Sequence, residues 1–147
     1  MRISDVLRVK GEQVITVEPG VDVTRLLAVL AEHKIGAVIV SRDGERVDGI
    51  VSERDIVRAL AARGAGVLTE PVSAIHTTQV RTVEPDAALE DVERLMTEHR
   101  FRHVPVVVDG SLRGVVSIGD VVKNRIDELE AERSSLAGYI TGEREHP

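Results

Sequence analysis

The sequence predicts an α/β (α+β) fold of two similar units. Each runs strand-helix-strand-strand-helix, giving two small mixed sheets with helices packed on one side, and a helical tail follows. Three observations carry this expectation. First, the chain repeats itself: Val14-Ile15-Thr16-Val17-Glu18-Pro19 returns as Val80-Arg81-Thr82-Val83-Glu84-Pro85, a shift of 80 − 14 = 66 residues. The same shift carries Glu32-His33 onto Glu98-His99. Second, Gly49-Ile50-Val51-Ser52 returns as Gly114-Val115-Val116-Ser117 and Asp55 as Asp120, one residue having been lost in the intervening turn. Third, each unit holds one segment of helical apolar spacing, then two apolar runs separated by a glycine-bearing turn.

The elements follow in order. Val14 to Val17 reads as a short strand ended by Glu18-Pro19, which also opens a helix. Val23, Leu26, Leu27 and Leu30 share one face of that helix, as Leu89, Val92, Leu95 and Met96 do in the second unit. Ala37 to Val40 and His103 to Val108 read as buried strands, and the turns Arg42-Asp43-Gly44-Glu45 and Asp109-Gly110-Ser111 send the chain back. The return strands, Asp48 to Val51 and Leu112 to Val116, lead into helices from Ser52 to Ala62 and from Ser117 onward. Gly64-Ala65-Gly66 through Pro71 reads as the linker. The expected divisions are residues 1–66, 67–130 and 131–147. After Ser117, Ile118, Val122, Ile126, Leu129, Leu136 and Ile140 keep a helical stripe towards the C-terminus, which Ser134-Ser135 and Gly138 are expected to break. Two readings of the stripe stand: cover for the chain's own core, or contact with a second subunit. Residues 143–147 are expected to fray.

Composition narrows the function. Of 147 residues, 42% are hydrophobic and 30% charged, as in an ordinary globular protein. The absence of cysteine excludes disulfides, thiolate metal sites and thiol nucleophiles. No apolar run approaches a membrane span and no signal-peptide core opens the chain, so a soluble cytoplasmic protein is expected. A net charge of −6, with Phe101 and Tyr139 as the only aromatic residues, argues against nucleic acid as the ligand. No phosphate-binding loop, dinucleotide fingerprint, paired-histidine helix or nucleophile elbow is present. His99 and His103 are four apart, but the second falls on a strand, so no metal site is expected. Ser52-x-x-Asp55 and Ser117-x-x-Asp120 fit helix N-caps with an acidic residue three later, the reading the residues alone favour, and also fit a polar site at a helix start.

Gly49-Ile50-Val51-Ser52-Glu53-Arg54-Asp55-Ile56-Val57 and Gly114-Val115-Val116-Ser117-Ile118-Gly119-Asp120-Val121-Val122 resemble the signature that closes a CBS domain. Arg102-His103-Val104-Pro105-Val106 resembles that of its second strand. The resemblance covers about residues 3 to 130 and both halves carry it, so the chain resembles a tandem CBS pair (a Bateman module), and in particular small stand-alone bacterial proteins that end in a helical tail. It implies two units related by a pseudo-two-fold axis, with two clefts for an adenosine-containing ligand: AMP, ADP, ATP or NAD(H), with S-adenosylmethionine less suited to a basic site. It further implies a homodimer that signals to an effector protein, with no catalysis and no required cofactor.

Carried onto this sequence, the resemblance makes Asp55 and Asp120, each preceded by its serine (Ser52, Ser117), the ribose-binding carboxylates. Thr16, Thr77 and Thr82 would meet the adenine edge, and Ile50, Pro105 and Val115 would give it apolar contact. His76 stands where the family often has methionine, which puts the contact near Thr77 in doubt. Asp55 would face Phe101, Arg102 and His103 beside Arg54, a phosphate-preferring arrangement. Asp120 would face Ile35, Gly36 and Ala37, with no positive charge supplied. The alternative is a structural or protein-interaction module whose pockets hold no ligand.

Overall fold

A computed structural model describes residues 1–11 and 14–141. The elements are α1 (Ile3–Lys10), β1 (Thr16–Val17), α2 (Val23–His33), β2 (Ala37–Val40), β3 (Gly49–Ser52) and α3 (Glu53–Arg63). Two 3₁₀ turns, Ala65–Thr69 and Val72–Ala74, lead to α4 (Leu89–His99), β4 (His103–Val108), β5 (Ser111–Ser117) and α5 (Ile118–Thr141). The first sheet has the order β1-β2-β3, with β1 parallel to β2 and β2 antiparallel to β3; the second pairs β4 with β5 antiparallel. Helix starts and strand turns use local chemistry. Asp22 caps α2 by accepting from Arg25 N–H at 2.7 Å. Asp109 and Gly110, at φ 51° and 79°, form the tight turn between β4 and β5.

The second unit lacks the ladder expected over Val80–Val83. Only Val83 bridges to Val106, with Val83 N–H donating to Pro105 O (3.0 Å) and Val107 N–H to Val83 O (2.9 Å). The next bond on one side would need an N–H from Pro105, and on the other side an N–H from Pro85. Neither proline has one, so the parallel ladder stops after a single bridge. In the first unit Ile39 stands in the place of Pro105, and two residue pairs form.

Two cores result. Val17, Leu26, Leu30, Val38, Val40, Val51 and Ile56 build the first; Leu89, Val92, Met96, Val104, Val106 and Val116 build the second. α1 was not anticipated, and it buries Ile3, Val6 and Leu7 in the second core. The segment read as a linker is also packed, since Val67 and Val72 are buried in the first core. The boundary expected at 66/67 therefore falls inside a packed turn.

The two segments are equivalent in their bonding. Val23 N–H donates to Glu70 O (3.0 Å), Val72 N–H to Val21 O (2.7 Å) and Ser73 N–H to Pro19 O (3.0 Å). In the other copy Leu89 N–H donates to Met1 O (3.0 Å), Ile3 N–H to Ala87 O (2.9 Å) and Ser4 N–H to Pro85 O (2.8 Å). The stretch leading into each repeat thus pairs with the other unit, as a pseudo-two-fold arrangement requires.

Ser134, Ser135 and Gly138 do not break the last helix, which runs unbroken to Thr141. Each costs the helix about 1 kcal/mol or less, and no proline intervenes. The stripe does not cover the chain's own core: Ile118, Val122, Ile126, Leu129 and Leu136 are between 43% and 64% exposed. The side chain of Ile140 and residues 143–147 lie outside the described residues.

Gly49 and Gly114 mark where the exchanged segments press on the sheets. A Cβ on Gly49 would stand 2.8 Å from the Thr77 carbonyl oxygen and 2.7 Å from His76 Nδ1, and one on Gly114 would stand 2.8 Å from Leu7 Cδ2. The Leu7 tip can rotate away, whereas the Thr77 carbonyl is held in a main-chain bridge to Ile50. Gly49→Ala is expected to lose about 1–3 kcal/mol of stability in urea unfolding, and more than Gly114→Ala. Equal losses would mean that the bridge gives way as easily as a side chain does.

Candidate functional site

The strand-to-helix turn at Ser52 opens into a cavity of about 550 Å³ between the units. The first unit lines it with Gly36, Ile50, Ser52, Glu53, Arg54, Asp55 and Arg58, and the second with His99, Arg100, Phe101, Arg102 and His103. Thr77, Gln79, Val80 and Arg81 of the intervening chain close one side. Thr77 is fixed there because its N–H donates to Ile50 O (2.8 Å) and its carbonyl accepts from Ile50 N–H (2.9 Å).

Asp55 serves as a cap and still leaves an edge open. Its Oδ2 accepts from Ser52 N–H (2.8 Å) and Ser52 Oγ–H (3.1 Å), while Asp55 N–H donates to Ser52 Oγ (3.3 Å). The cap reading of the Ser-x-x-Asp pattern is thus observed, while Oδ1 accepts no hydrogen bond among the described residues and stays open to a donor. Glu53 N–H is used by Gly36 O (2.9 Å).

Five arginines line this cavity, Arg54, Arg58, Arg81, Arg100 and Arg102, against two carboxylates. None of the five guanidinium groups makes an ion pair or hydrogen bond among the described residues, although arginines elsewhere do, such as Arg42 with Asp48 at 2.9 Å. Arg100 enters the wall from a left-handed backbone (φ 59°) that ends α4. His99 stacks on Phe101 with ring centroids 5.7 Å apart, presenting an aromatic surface. Burial chiefly lowers the pKa of His103; Lys10 and Arg102 add to this while Asp120 and Glu53 oppose it, which favours the neutral ring.

Nine of the residues singled out in the sequence therefore converge: Gly36, Ile50, Ser52, Arg54, Asp55, Thr77, Phe101, Arg102 and His103. Thr16, Thr82, Pro105, Val115, Ser117 and Asp120 do not line this cavity. Ile35 borders an apolar groove between α2 and α3. Arg58, Arg81 and Arg100 were missed. Arg58 carried a readable signal, lying one helical turn beyond Arg54. Arg100 did too, standing directly before Phe101-Arg102-His103; Arg81 carried none, because only folding brings it to residue 54.

The equivalent turn at Asp120 has the same cap: Ser117 N–H to Asp120 Oδ2 (2.8 Å) and Asp120 N–H to Ser117 Oγ (3.1 Å). The expectation of no positive charge there is overturned, because Lys10 Nζ lies 2.6 Å from Asp120 Oδ2 and 2.7 Å from Val115 O. The unanticipated α1 is the reason, since its last turn carries Lys10 to this place. Burial disfavours the Asp120 carboxylate, but Lys10 and the Ser117 N–H outweigh it and hold its pKa below the ordinary value.

The same capped turn thus closes both halves of the chain. The family model for the CBS domain matches residues 3–62 and 72–127. The chain belongs to the CBS-domain family. A CBS-domain protein of Agrobacterium tumefaciens is 44% identical, with a TM-score of 0.81 over 85% of this chain and 99% of that one. A mitochondrial CBS domain-containing protein of Arabidopsis thaliana is 36% identical over 77% of this chain, which spans only 57% of that relative's length. The CBS domain pair of protein MJ0100, solved with 5′-methylthioadenosine and S-adenosyl-L-methionine, shares the fold (TM-score 0.76 over 87% of this chain and 98% of that one) at 23% identity. No helix among the described residues is long and apolar enough to cross a membrane.

A carboxyl held below its ordinary pKa contributes stability that is present above that value and lost as pH falls through the folded one. Wild type is therefore expected to exceed Lys10→Met by about 1 kcal/mol or less at pH 7 in urea unfolding, the pair being partly exposed. The difference should vanish well below pH 3.8. A difference that persists in acid would show that Lys10 acts through packing and not through its charge.

Proposed function

We propose that this CBS pair is a regulatory sensor that binds an adenine nucleotide in the cleft beside Asp55 and passes the signal to an effector protein. The observation that carries the reading is the gathering, in a single cavity between the repeats, of five guanidinium groups unpaired among the described residues and one carboxylate with an open edge. The Asp55 Oδ1 edge accepts from ribose hydroxyls, and the arginines donate to phosphate oxygens in charge-assisted bonds. The start of α3 adds its dipole to the same anion. The Phe101 face and Ile50 border the base. The adenosine ligands of protein MJ0100 support the choice of base, and the excess of arginine favours AMP, ADP, ATP or NAD(H) over a cationic sulfonium ligand. The reading involves no catalytic step and no required cofactor.

A second copy of the chain is the proposed partner for the helical faces. Leu27 and Val57 on one unit, and Val122, Ile126 and Leu129 on the other, are exposed apolar side chains on successive helices. If they find no second copy, the alternative of a ligand-free interaction module gains their support.

Thermal unfolding against AMP, ADP, ATP, NAD and NADH, with GTP as the base control, tests the sensor. A ligand at 100 times its Kd stabilises by about 2.7 kcal/mol, which raises the Tm by several degrees. Adenine nucleotides are expected to shift the Tm and GTP is not; silence from all of them moves the reading to the interaction module. Asp55→Ala is expected to weaken ATP binding at least tenfold and Asp120→Ala to leave it within about twofold, so equal losses contradict the assignment. Arg102→Ala should weaken ATP more than adenosine, and an equal loss for adenosine would remove Arg102 from the phosphate role.

A further inference from the structure

The two capped turns are equivalent in the repeat but are completed differently. At the first, the main chain of Thr77 donates its N–H to Ile50 O (2.8 Å), and Asp55 meets no cation among the described residues. At the second, the carbonyl equivalent to that of Ile50 is Val115 O, and it accepts from the Lys10 ammonium at 2.7 Å. The same ammonium lies 2.6 Å from Asp120 Oδ2. The divergence begins just after an equivalent contact, in which His76 presses on Gly49 in one copy and Leu7 on Gly114 in the other. Beyond it the linker copy goes extended, whereas the N-terminal copy stays helical to Lys10 and delivers a side chain where the other delivers main chain.

We propose that Lys10 occupies the Asp120 turn from within the chain, engaging the carboxylate that a ribose would need there, so that each chain binds one nucleotide, beside Asp55. This rests on the nucleotide reading of the first cleft and specifies its stoichiometry. Three observations favour a held ammonium over a passing surface contact. Its helix is anchored by Ile3, Val6 and Leu7, all at most 5% exposed in the second core. Its bond to Asp120 is charge-assisted, which a neutral hydroxyl replacing it cannot match. It also satisfies the Val115 carbonyl, so an incoming ligand must displace two bonds and not one. Lys10 is in this sense a specificity-determining residue: it decides which of two equivalent turns remains open.

Calorimetric titration with ATP tests this on wild type, Lys10→Met, Lys10→Gln, Lys10→Arg and the double variant Lys10→Met/Asp120→Ala. One site per chain is expected in wild type and in Lys10→Arg, two in Lys10→Met or Lys10→Gln, and one again in the double variant. In parallel, the Asp120 carboxyl NMR signal should move on ATP addition only where Lys10 has been removed. Two sites in wild type overturn the proposal, as does a single site in both neutral variants when their melting curves report a folded chain. Heat from none of the five proteins sinks the nucleotide reading itself, and the occupancy proposal falls with it. One site throughout removes the occupancy proposal alone.

Discussion

The arrangement depends on the exchange of two short segments. The chain around residues 1–7 completes the second core, and the chain around residues 67–75 completes the first, each through three main-chain bonds and fully buried aliphatic side chains. Burying a side chain such as Ile3 or Val72 is worth about 1.5–3 kcal/mol. The units are thereby tied at both ends, and the walls of the clefts are set by the ties. Thr77 reaches Ile50, and Lys10 reaches Val115, because the exchange lays them there.

Much of this was legible. The repeat, the helical spacing of Leu26 and Leu30, the Asp109-Gly110 turn and the Ser-x-x-Asp caps are local signals, and local signals survive in a sequence. Nine cavity residues could be named because the repeat and the family resemblance together placed them at strand ends. α1 was not read, although Ile3, Val6 and Leu7 are spaced for a helix, because eight residues give the pattern little length in which to stand out. The lone bridge at Val83 was missed for a subtler reason: the limit comes from Pro105 and Pro85 acting together on neighbouring strands. The exposed stripe on α5 shows the limit of periodicity, which says that a helix has an apolar face but not what meets it.

Charge is distributed against the average of the molecule. The chain carries a net charge of −6, yet one cavity concentrates five arginines drawn from positions 54 to 102. Like charges gathered without partners disfavour the compact state. An anion in the cavity would relieve that repulsion and link the two units more firmly. The other turn has already settled its electrostatics internally, through Lys10 and Asp120. The two turns, alike in their caps, thus differ in how their charge is met.

The exchanged segments also bear on how such a molecule could have arisen. A chain holding only one repeat and its leading segment would have no internal groove for that segment, because the groove lies on the other unit. Two such half-length chains could satisfy each other only by trading their ends, so the unit of folding would have been a pair. Joining them in one gene replaces an encounter in solution by a tether of a few residues, which raises the effective concentration of the missing partner to millimolar or above. It also allows the two ends to differ, since each is then encoded separately: one is extended at Thr77, and the other is a helix carrying Lys10.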